Sequence, residues 1–334
     1  MEERWVLARR PEGAPRPGDF ALERFAPPAP QDGEIAVRVE FHTVAPGIRS
    51  KLTAKTYAAM VGIGEPIPGV GVGVVEASRH PGFAQGDRVT GELGWASYCV
   101  IAGAAVQKLD PAVFGDDIPA SAAVDVLGAP RLTAYFGLLR VGEAKAGDVV
   151  LVSSAAGSVG SVAGQIAALK GCDVVGIAGG PEKCADLAAM GFADAVDYKA
   201  RRDLAAAFAE ARPNGYDLYF DNVGGETTDA AILNMREFAR LVICGQTSEY
   251  NRQDPRGLRN ITAFITRRLT MKGFVLYDFL RDFAAARAEM AGWLREGRLR
   301  HQPTIIPGVE HAVEAFLARF ESGQGGGRPL VKVI

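Results

Sequence analysis

Val149-Val150-Leu151-Val152-Ser153-Ser154-Ala155-Ala156-Gly157-Ser158-Val159-Gly160 is the stretch that decides the fold. Its first four residues are apolar, three of them β-branched, the pattern of a strand covered on both faces. Small turn residues follow, and Ser158 to Lys170 then has the spacing of a helix. Against the dinucleotide fingerprint G-x-G-x-x-G the turn reads A-x-G-x-x-G, with Ala155, Gly157 and Gly160. Gly157 would let the backbone approach a pyrophosphate, whose charge faces the N–H groups of the helix start, and Gly160 would let the helix pack closely on the strand. Gly157 and Gly160 are therefore candidate cofactor contacts. An ordinary β-turn-α connection shares this pattern; the strand before, the helix after and a second strand about 20 residues on select the nucleotide reading.

The same grammar continues outward. Short β-rich runs at Asp173–Ile177, Asp194–Asp197, Tyr216–Phe220 and Arg240–Cys244 are separated by helical stretches at Pro181–Met190, Arg202–Ala211 and Thr227–Phe238. Strands alternating with helices imply right-handed βαβ crossovers and a parallel, doubly wound Rossmann sheet. A further amphipathic helix is expected over Asp278–Arg295. Upstream of about residue 120 the character differs. Glu34 to Phe41 alternates apolar and polar residues, Val70–Glu76 and Gly86–Thr90 read as further strands, and His80-Pro81-Gly82 marks a turn. The expected architecture is α/β. An antiparallel β domain built from 1–124 and 298–334 flanks a Rossmann domain at 125–297.

Composition narrows the function classes. A hydrophobic fraction of 48% and a charged fraction of 23% are those of a globular chain and exclude disorder. Lys and Arg total 37 against 39 Asp and Glu, which argues against a nucleic-acid binder and for small-molecule partners. Cys99, Cys172, Cys184 and Cys244 contain no CxxC pair, and His42, His80, His301 and His311 are equally scattered, so no metal is expected. The uncharged run from Val149 to Leu169 holds four serines, three glycines and a glutamine, unlike a bilayer span. With no apolar segment near the N-terminus, the expectation is a cytoplasmic protein without membrane association.

The tip of the second strand selects the dinucleotide. It reads Ile177-Ala178-Gly179-Gly180-Pro181-Glu182-Lys183, where an NAD site normally places an acidic residue against the ribose 2′-hydroxyl. Ala178 and Gly179 leave room for a phosphate, and Lys183 can supply the counter-charge. Glu182 is the competing residue, but its carboxylate most simply favours the helix N-terminus. The expected cofactor is NADPH.

The chain resembles the medium-chain dehydrogenase/reductase superfamily over nearly its whole length. Within it the similarity is to the zinc-free NADPH-dependent alkenal/enone reductases. The stretches that carry the resemblance include Gly94-Trp95-Ala96-Ser97-Tyr98, Leu132-Thr133-Ala134-Tyr135-Phe136-Gly137, Phe220-Asp221-Asn222-Val223-Gly224-Gly225 and Cys244-Gly245-Gln246-Thr247-Ser248-Glu249-Tyr250-Asn251. It implies that the β domain is GroES-like and that the protein is a homodimer. It also implies Gly157, Ser158, Val159 and Gly160 at the pyrophosphate, Lys183 and Tyr198 at the 2′-phosphate side, and Asn222 against the cofactor. Cys244, Gly245, Thr247, Ser248 and Tyr250 would line the nicotinamide half, with Phe274, Val275 and Leu276 beside it. Taken as isolated residues, Asn222 also suits a turn cap and Phe274 a core position.

Three positions depart from the family pattern. Gly47 stands where relatives carry a pocket-lining tyrosine, and Arg131 where they carry a glycine. Gly325-Gly326-Gly327-Arg328 replaces a segment holding a cofactor-binding asparagine. The implied reaction is hydride transfer from NADPH to the β-carbon of an α,β-unsaturated ketone or aldehyde. Tyr250 would stabilise the enolate oxygen, and Tyr250 or water would protonate the α-carbon. An NADPH quinone reductase, or a redox-neutral or ligand-binding member of the same fold, is the alternative.

Overall fold

The computed structural model describes residues 1–45, 47–52, 60–249, 254, 257–300, 303–320 and 329–334. The chain separates into two compact units, Met1–Gly128 with His301–Ile334, and Ala129–Arg300. In the first unit β1 (Glu2–Leu7) pairs antiparallel with β2 (Phe20–Phe25). A second sheet is built around β3 (Glu34–Thr43). A short helix, α1 (Ile48–Leu52), follows β3, and then come β4 (Val70–Ser78), β5 (Arg88–Glu92), β6 (Tyr98–Ala102) and β7 (Val106–Lys108). The alternation expected over Glu34–Phe41 is realised in burial. Ile35, Val37 and Val39 are fully buried against Val75, Val89 and Leu93, while Glu34, Arg38 and Glu40 reach solvent. At five residues, α1 is too short to show a helical period.

The second unit opens with α2 (Ala129–Phe136), which continues into a π-helical turn at Gly137–Val141. It then alternates β8 (Val149–Val152), α3 (Gly160–Leu169), β9 (Asp173–Ala178), α4 (Pro181–Ala189), β10 (Asp194–Asp197), α5 (Leu204–Ala211), β11 (Tyr216–Asp221), α6 (Gly225–Ile232) and β12 (Met235–Ile243). After these come α7 (Thr262–Thr266), β13 (Thr270–Gly273) and α8 (Phe283–Arg295). The strands form one parallel sheet in the order β10-β9-β8-β11-β12-β13. Leu151, Val175, Ile177, Tyr219 and Leu241 pack with Phe208 of α5 and Ile232 of α6 in its core. The chain then re-enters the first unit as β14 (Thr304–Pro307), α9 (Ala312–Leu317) and β15 (Pro329–Lys332). There β15 pairs with β14 in parallel and with β3 antiparallel.

Three expectations need correction. The helix expected over Thr227–Phe238 ends at Ile232, and Met235–Phe238 belongs to β12. Asn234 makes the break: its amide nitrogen donates to the Ala205 and Ala230 carbonyls, and the pairing of Met235 with Tyr216 and the Phe238 N–H bond to Arg267 O at 2.8 Å override helix propensity. The sheet also has a sixth strand, β13, whose Thr-Met-Lys-Gly sequence has no apolar run to announce it. Finally, the helix expected from Asp278 is 3-10 over Leu276–Asp282, irregular at Phe279, and α-helical only from Phe283.

Candidate functional site

Strand order reverses between β8 and β11, the switch point at which a doubly wound sheet opens a crevice beyond its carboxyl ends. The turn after β8 is tightly wound. Ser154 adopts a left-handed φ of 51°. The Gly157 N–H donates to the Ser154 carbonyl at 2.8 Å, and Ala155 N–H donates to Ile177 O of the next strand at 2.9 Å. A Cβ on Gly160 would lie 2.3 Å from the Ser154 carbonyl oxygen, and one on Gly157 would lie 2.8 Å from Ser154 Oγ. The requirement for glycine at 160 therefore comes from the turn itself. Close packing of α3 falls to Gly164, where a Cβ would meet Phe192 Cζ at 1.8 Å. Gly157, Ser158 and Val159 are partly exposed, and α3 begins directly after them, its Ser161 and Val162 N–H groups donating back to Gly157 O at 3.0 Å and Val159 O at 3.2 Å.

At the neighbouring tip, Gly180 has a φ of 97° and caps α4, whose first turn carries a half-buried Lys183. The Tyr198 side chain lies against Gly179: an added Cβ there would meet its Cε1, Cζ and hydroxyl oxygen at 2.8, 2.9 and 3.0 Å.

Across the switch point, a fully buried carboxylate gathers the end of β11. Asp221 Oδ1 accepts from Ser153 Oγ at 3.2 Å, the Tyr219 hydroxyl at 2.9 Å, and the Val223 and Gly224 N–H groups at 2.9 Å each. Its Oδ2 accepts from Thr228 Oγ1. Burial, then the Asp221 charge, push the Tyr219 hydroxyl well above its ordinary pKa, so it remains a donor. Asn222 is tied to the same serine: its N–H donates to Ser153 Oγ at 2.8 Å, and its Nδ2 to Ser153 O at 2.7 Å. The cap before Gly224-Gly225 is thus made by Asp221. Asn222 instead links β11 to the turn after β8.

The segment after β12 hangs from these groups. Cys244 and Gly245 N–H donate to Asp221 O at 2.8 and 3.0 Å. Thr247 Oγ1 donates to Asn222 O at 3.1 Å, and Ser248 Oγ to Val223 O at 2.8 Å. Burial first, then the Asp221 charge, push the Cys244 thiol up to about 12, which keeps it neutral. After β13, Phe274 packs on the π-helical turn, where a Cβ on Gly137 would meet its Cζ at 2.6 Å. Val275 is exposed and Leu276 half-buried. Arg131 is buried in the first turn of α2, and Gly47 is exposed, with no atom within 4 Å of an added Cβ. Tyr250 and Gly325–Arg328 lie outside the described residues. Sequence reasoning missed Ser153 and Asp221 as site-forming residues. Their signal was a polar residue at the end of each of two apolar strands.

A glycine turn at the switch point of a six-stranded parallel sheet, in a chain that also folds an antiparallel β unit, is the build of a dinucleotide-dependent oxidoreductase. Two family models match: one described as the N-terminal domain of oxidoreductase over residues 3–109, and one described as zinc-binding dehydrogenase over 158–292. The chain is 39% identical to prostaglandin reductase 1 of Mus musculus, covering 98% of each protein. It is 35% identical to the NADPH-dependent curcumin reductase of Escherichia coli (strain K12), covering 99% of this chain and 96% of that protein. A crystal structure of CurA in complex with NADPH from Vibrio vulnificus superposes with a TM-score of 0.85 at 36% identity, covering 99% of both chains. The chain belongs to the medium-chain dehydrogenase/reductase superfamily, in its NADPH-dependent alkenal/enone reductase subfamily.

Proposed function

We propose that this protein reduces the C=C bond of α,β-unsaturated ketones or aldehydes with NADPH. The observation that carries the reading is the Gly157–Gly160 turn, joined to Asn222 through Ser153 at the switch point, in a chain related end to end to prostaglandin and curcumin reductases. The residues fit a dinucleotide: Gly157 carries no side chain in the partly exposed turn that leads into α3, where a pyrophosphate would approach. Gly157, Ser158, Val159 and Gly160 would hold the pyrophosphate, and Lys183 with Tyr198 the 2′-phosphate. Asn222, Cys244, Gly245, Thr247 and Ser248, with Phe274, Val275 and Leu276, would line the nicotinamide half. When bound, NADPH supplies the hydride that reaches the substrate β-carbon. Tyr250 donates a hydrogen bond to the carbonyl oxygen as enolate charge develops there, and Tyr250 or water delivers the proton to the α-carbon. The neutral Cys244 thiol contributes shape and not nucleophilicity.

The reaction needs no metal on this reading. Among the described residues no three His, Cys, Asp or Glu side chains gather as a ligand set. Stoichiometric zinc in purified, untagged protein would overturn that part. The protein would work in the cytoplasm; among the described residues no helix is long and apolar enough to cross a membrane. It would do so as a homodimer, which the edge position of β13 among the described strands and the exposed Ile265, Tyr277 and Leu280 of the same unit favour. NADPH oxidation followed against enals, enones and quinones tests the activity. Turnover of enals or enones supports it, turnover of quinones alone assigns a quinone reductase, and cofactor binding without any turnover assigns a redox-neutral role.

A further inference from the structure

The two strand tips that flank the expected 2′-phosphate position are tied together by one side chain that neither tip's sequence advertises. Asp197, the last residue of β10, lies opposite Ala178, the last residue of β9. Its Oδ1 accepts from the Gly180 N–H at 2.8 Å and from the Lys199 N–H at 3.0 Å. The Gly180 N–H belongs to the β9–α4 turn and the Lys199 N–H to the turn after β10, so one oxygen couples both. Directly before Lys199 stands Tyr198, whose own N–H donates to Ala178 O at 3.1 Å and whose ring lies against Gly179. The carboxylate is half-buried at a strand end, and the Gly180 N–H, followed by the Lys199 N–H, holds its pKa below the usual range, so it carries full charge at neutral pH.

A full negative charge beside a site for a dianionic phosphate opposes binding. A residue placed there that both receives two backbone N–H groups and repels the ligand is doing the first at the expense of the second. Without an acceptor at this point the Gly180 turn, held at a φ only glycine adopts readily, would lose its tie to the turn after β10, and Tyr198 would be held through its N–H bond to Ala178 O alone. The floor formed by Gly179 and the Tyr198 ring would lose its shape.

We infer that Asp197 is a positioning residue for cofactor choice: by bridging Gly180 and Lys199 it sets Tyr198 and Gly179 in the arrangement that favours NADPH over NADH. The inference rests on the proposal that Lys183 and Tyr198 hold the 2′-phosphate. NADH has no phosphate to place there, so the effect belongs to one cofactor and not the other.

The test is the dissociation constant of NADPH and of NADH for the full-length wild type, Asp197→Ala, Asp197→Asn and Lys183→Ala. Asp197→Ala is expected to weaken NADPH about tenfold, the scale of one charge-assisted hydrogen bond, with NADH changed less than about twofold. Asp197→Asn keeps an oxygen that accepts both N–H groups and removes the charge, so it should bind NADPH at least as tightly as the wild type. A merely structural role would weaken both cofactors in Asp197→Ala, and that result overturns the inference. Unchanged or tighter NADPH binding in Asp197→Ala also overturns it, because the carboxylate would then act through its charge alone. Lys183→Ala separates the layers: if it weakens NADPH while Asp197→Ala does not, only this inference fails. If Lys183→Ala leaves NADPH binding intact, the 2′-phosphate assignment fails and this inference with it.

Discussion

Asp221 and Ser153 meet across the two strands between which the parallel sheet reverses its order, the serine hydroxyl donating to Asp221 Oδ1 at 3.2 Å. Ser153 ends the run that leads into the glycine turn, and Asp221 ends the run that leads into Asn222. One hydrogen bond therefore couples the element expected to hold the pyrophosphate to the element expected to face the nicotinamide.

Replacing Asp221 tests that coupling. In Asp221→Ala the buried Ser153 and Tyr219 hydroxyls and the Val223 and Gly224 N–H groups lose their acceptor. Each such loss costs about 1–3 kcal/mol, so a destabilisation on the order of 3 kcal/mol or more is expected in chemical unfolding. Asp221→Asn retains an accepting oxygen and should be clearly more stable than Asp221→Ala. Equal stability of the two would refute the account.

Gly160→Ala should damage the nucleotide turn more than most alanine substitutions in a helix. The new methyl would lie 2.3 Å from the Ser154 carbonyl oxygen, which is backbone and cannot rotate away. NADPH affinity is expected to fall by at least about tenfold, equivalent to roughly 1.4 kcal/mol, as read by titration. Wild-type affinity would mean that the turn relaxes without consequence.

Lys183→Ala should weaken NADPH by about 10- to 150-fold, the equivalent of roughly 1.5–3 kcal/mol for a hydrogen bond to a charged group. NADH binding should be nearly unchanged. Equal losses for both cofactors would make Lys183 a support of α4 and remove it from phosphate binding.

Tyr250→Phe keeps the ring and removes the donor. Turnover of an enone should fall by about 10²-fold, the lower end for loss of one oxyanion donor, because water or a cofactor hydroxyl can substitute. The NADPH dissociation constant should stay near the wild-type value. An unchanged kcat would take Tyr250 out of the mechanism.

Acid stability should reflect His42, which is fully buried on β3 and stacked on Trp95 with ring centroids 6.3 Å apart. Burial pushes its pKa down from 6.5 to about 3. Between those values the unfolded chain binds a proton that the folded chain does not. Stability from this group is therefore complete above about pH 6.5 and is lost as the pH falls toward 3, by up to about 1.4 kcal/mol per pH unit. His42→Gln should flatten the acid limb of the unfolding curve between pH 6 and 4 (about those limits, from the same shift). A wild-type slope in His42→Gln would assign acid lability to other groups.

The fold was legible wherever local pattern was strong. Val149–Val152 with its glycine turn, the alternation of Glu34–Phe41 and the βαβ spacing each carry their own signal in consecutive residues. The pattern failed at Met235–Phe238, where a helix-like run is drawn into β12 by the pairing of Met235 with Tyr216 and the Phe238 N–H bond to Arg267 O, and at β13, whose four residues form a strand because Arg240–Ile243 lies beside them. Those outcomes depend on partners far along the chain, which no local window contains.

For the site the division is similar. The sequence by itself determined the glycines at 157 and 160, the absence of an acidic residue at Ala178 and Gly179, and the lysine at 183. Each is a matter of backbone freedom or charge at one place in a turn. Tertiary structure alone decided that Ser153 meets Asp221, that Asn222 is spent on Ser153, and that Asp197 bridges Gly180 and Lys199. The reason is physical. A hydrogen bond forms only when donor and acceptor approach to about 3 Å, and residues 68 apart do so only after strand order and register have set their separation.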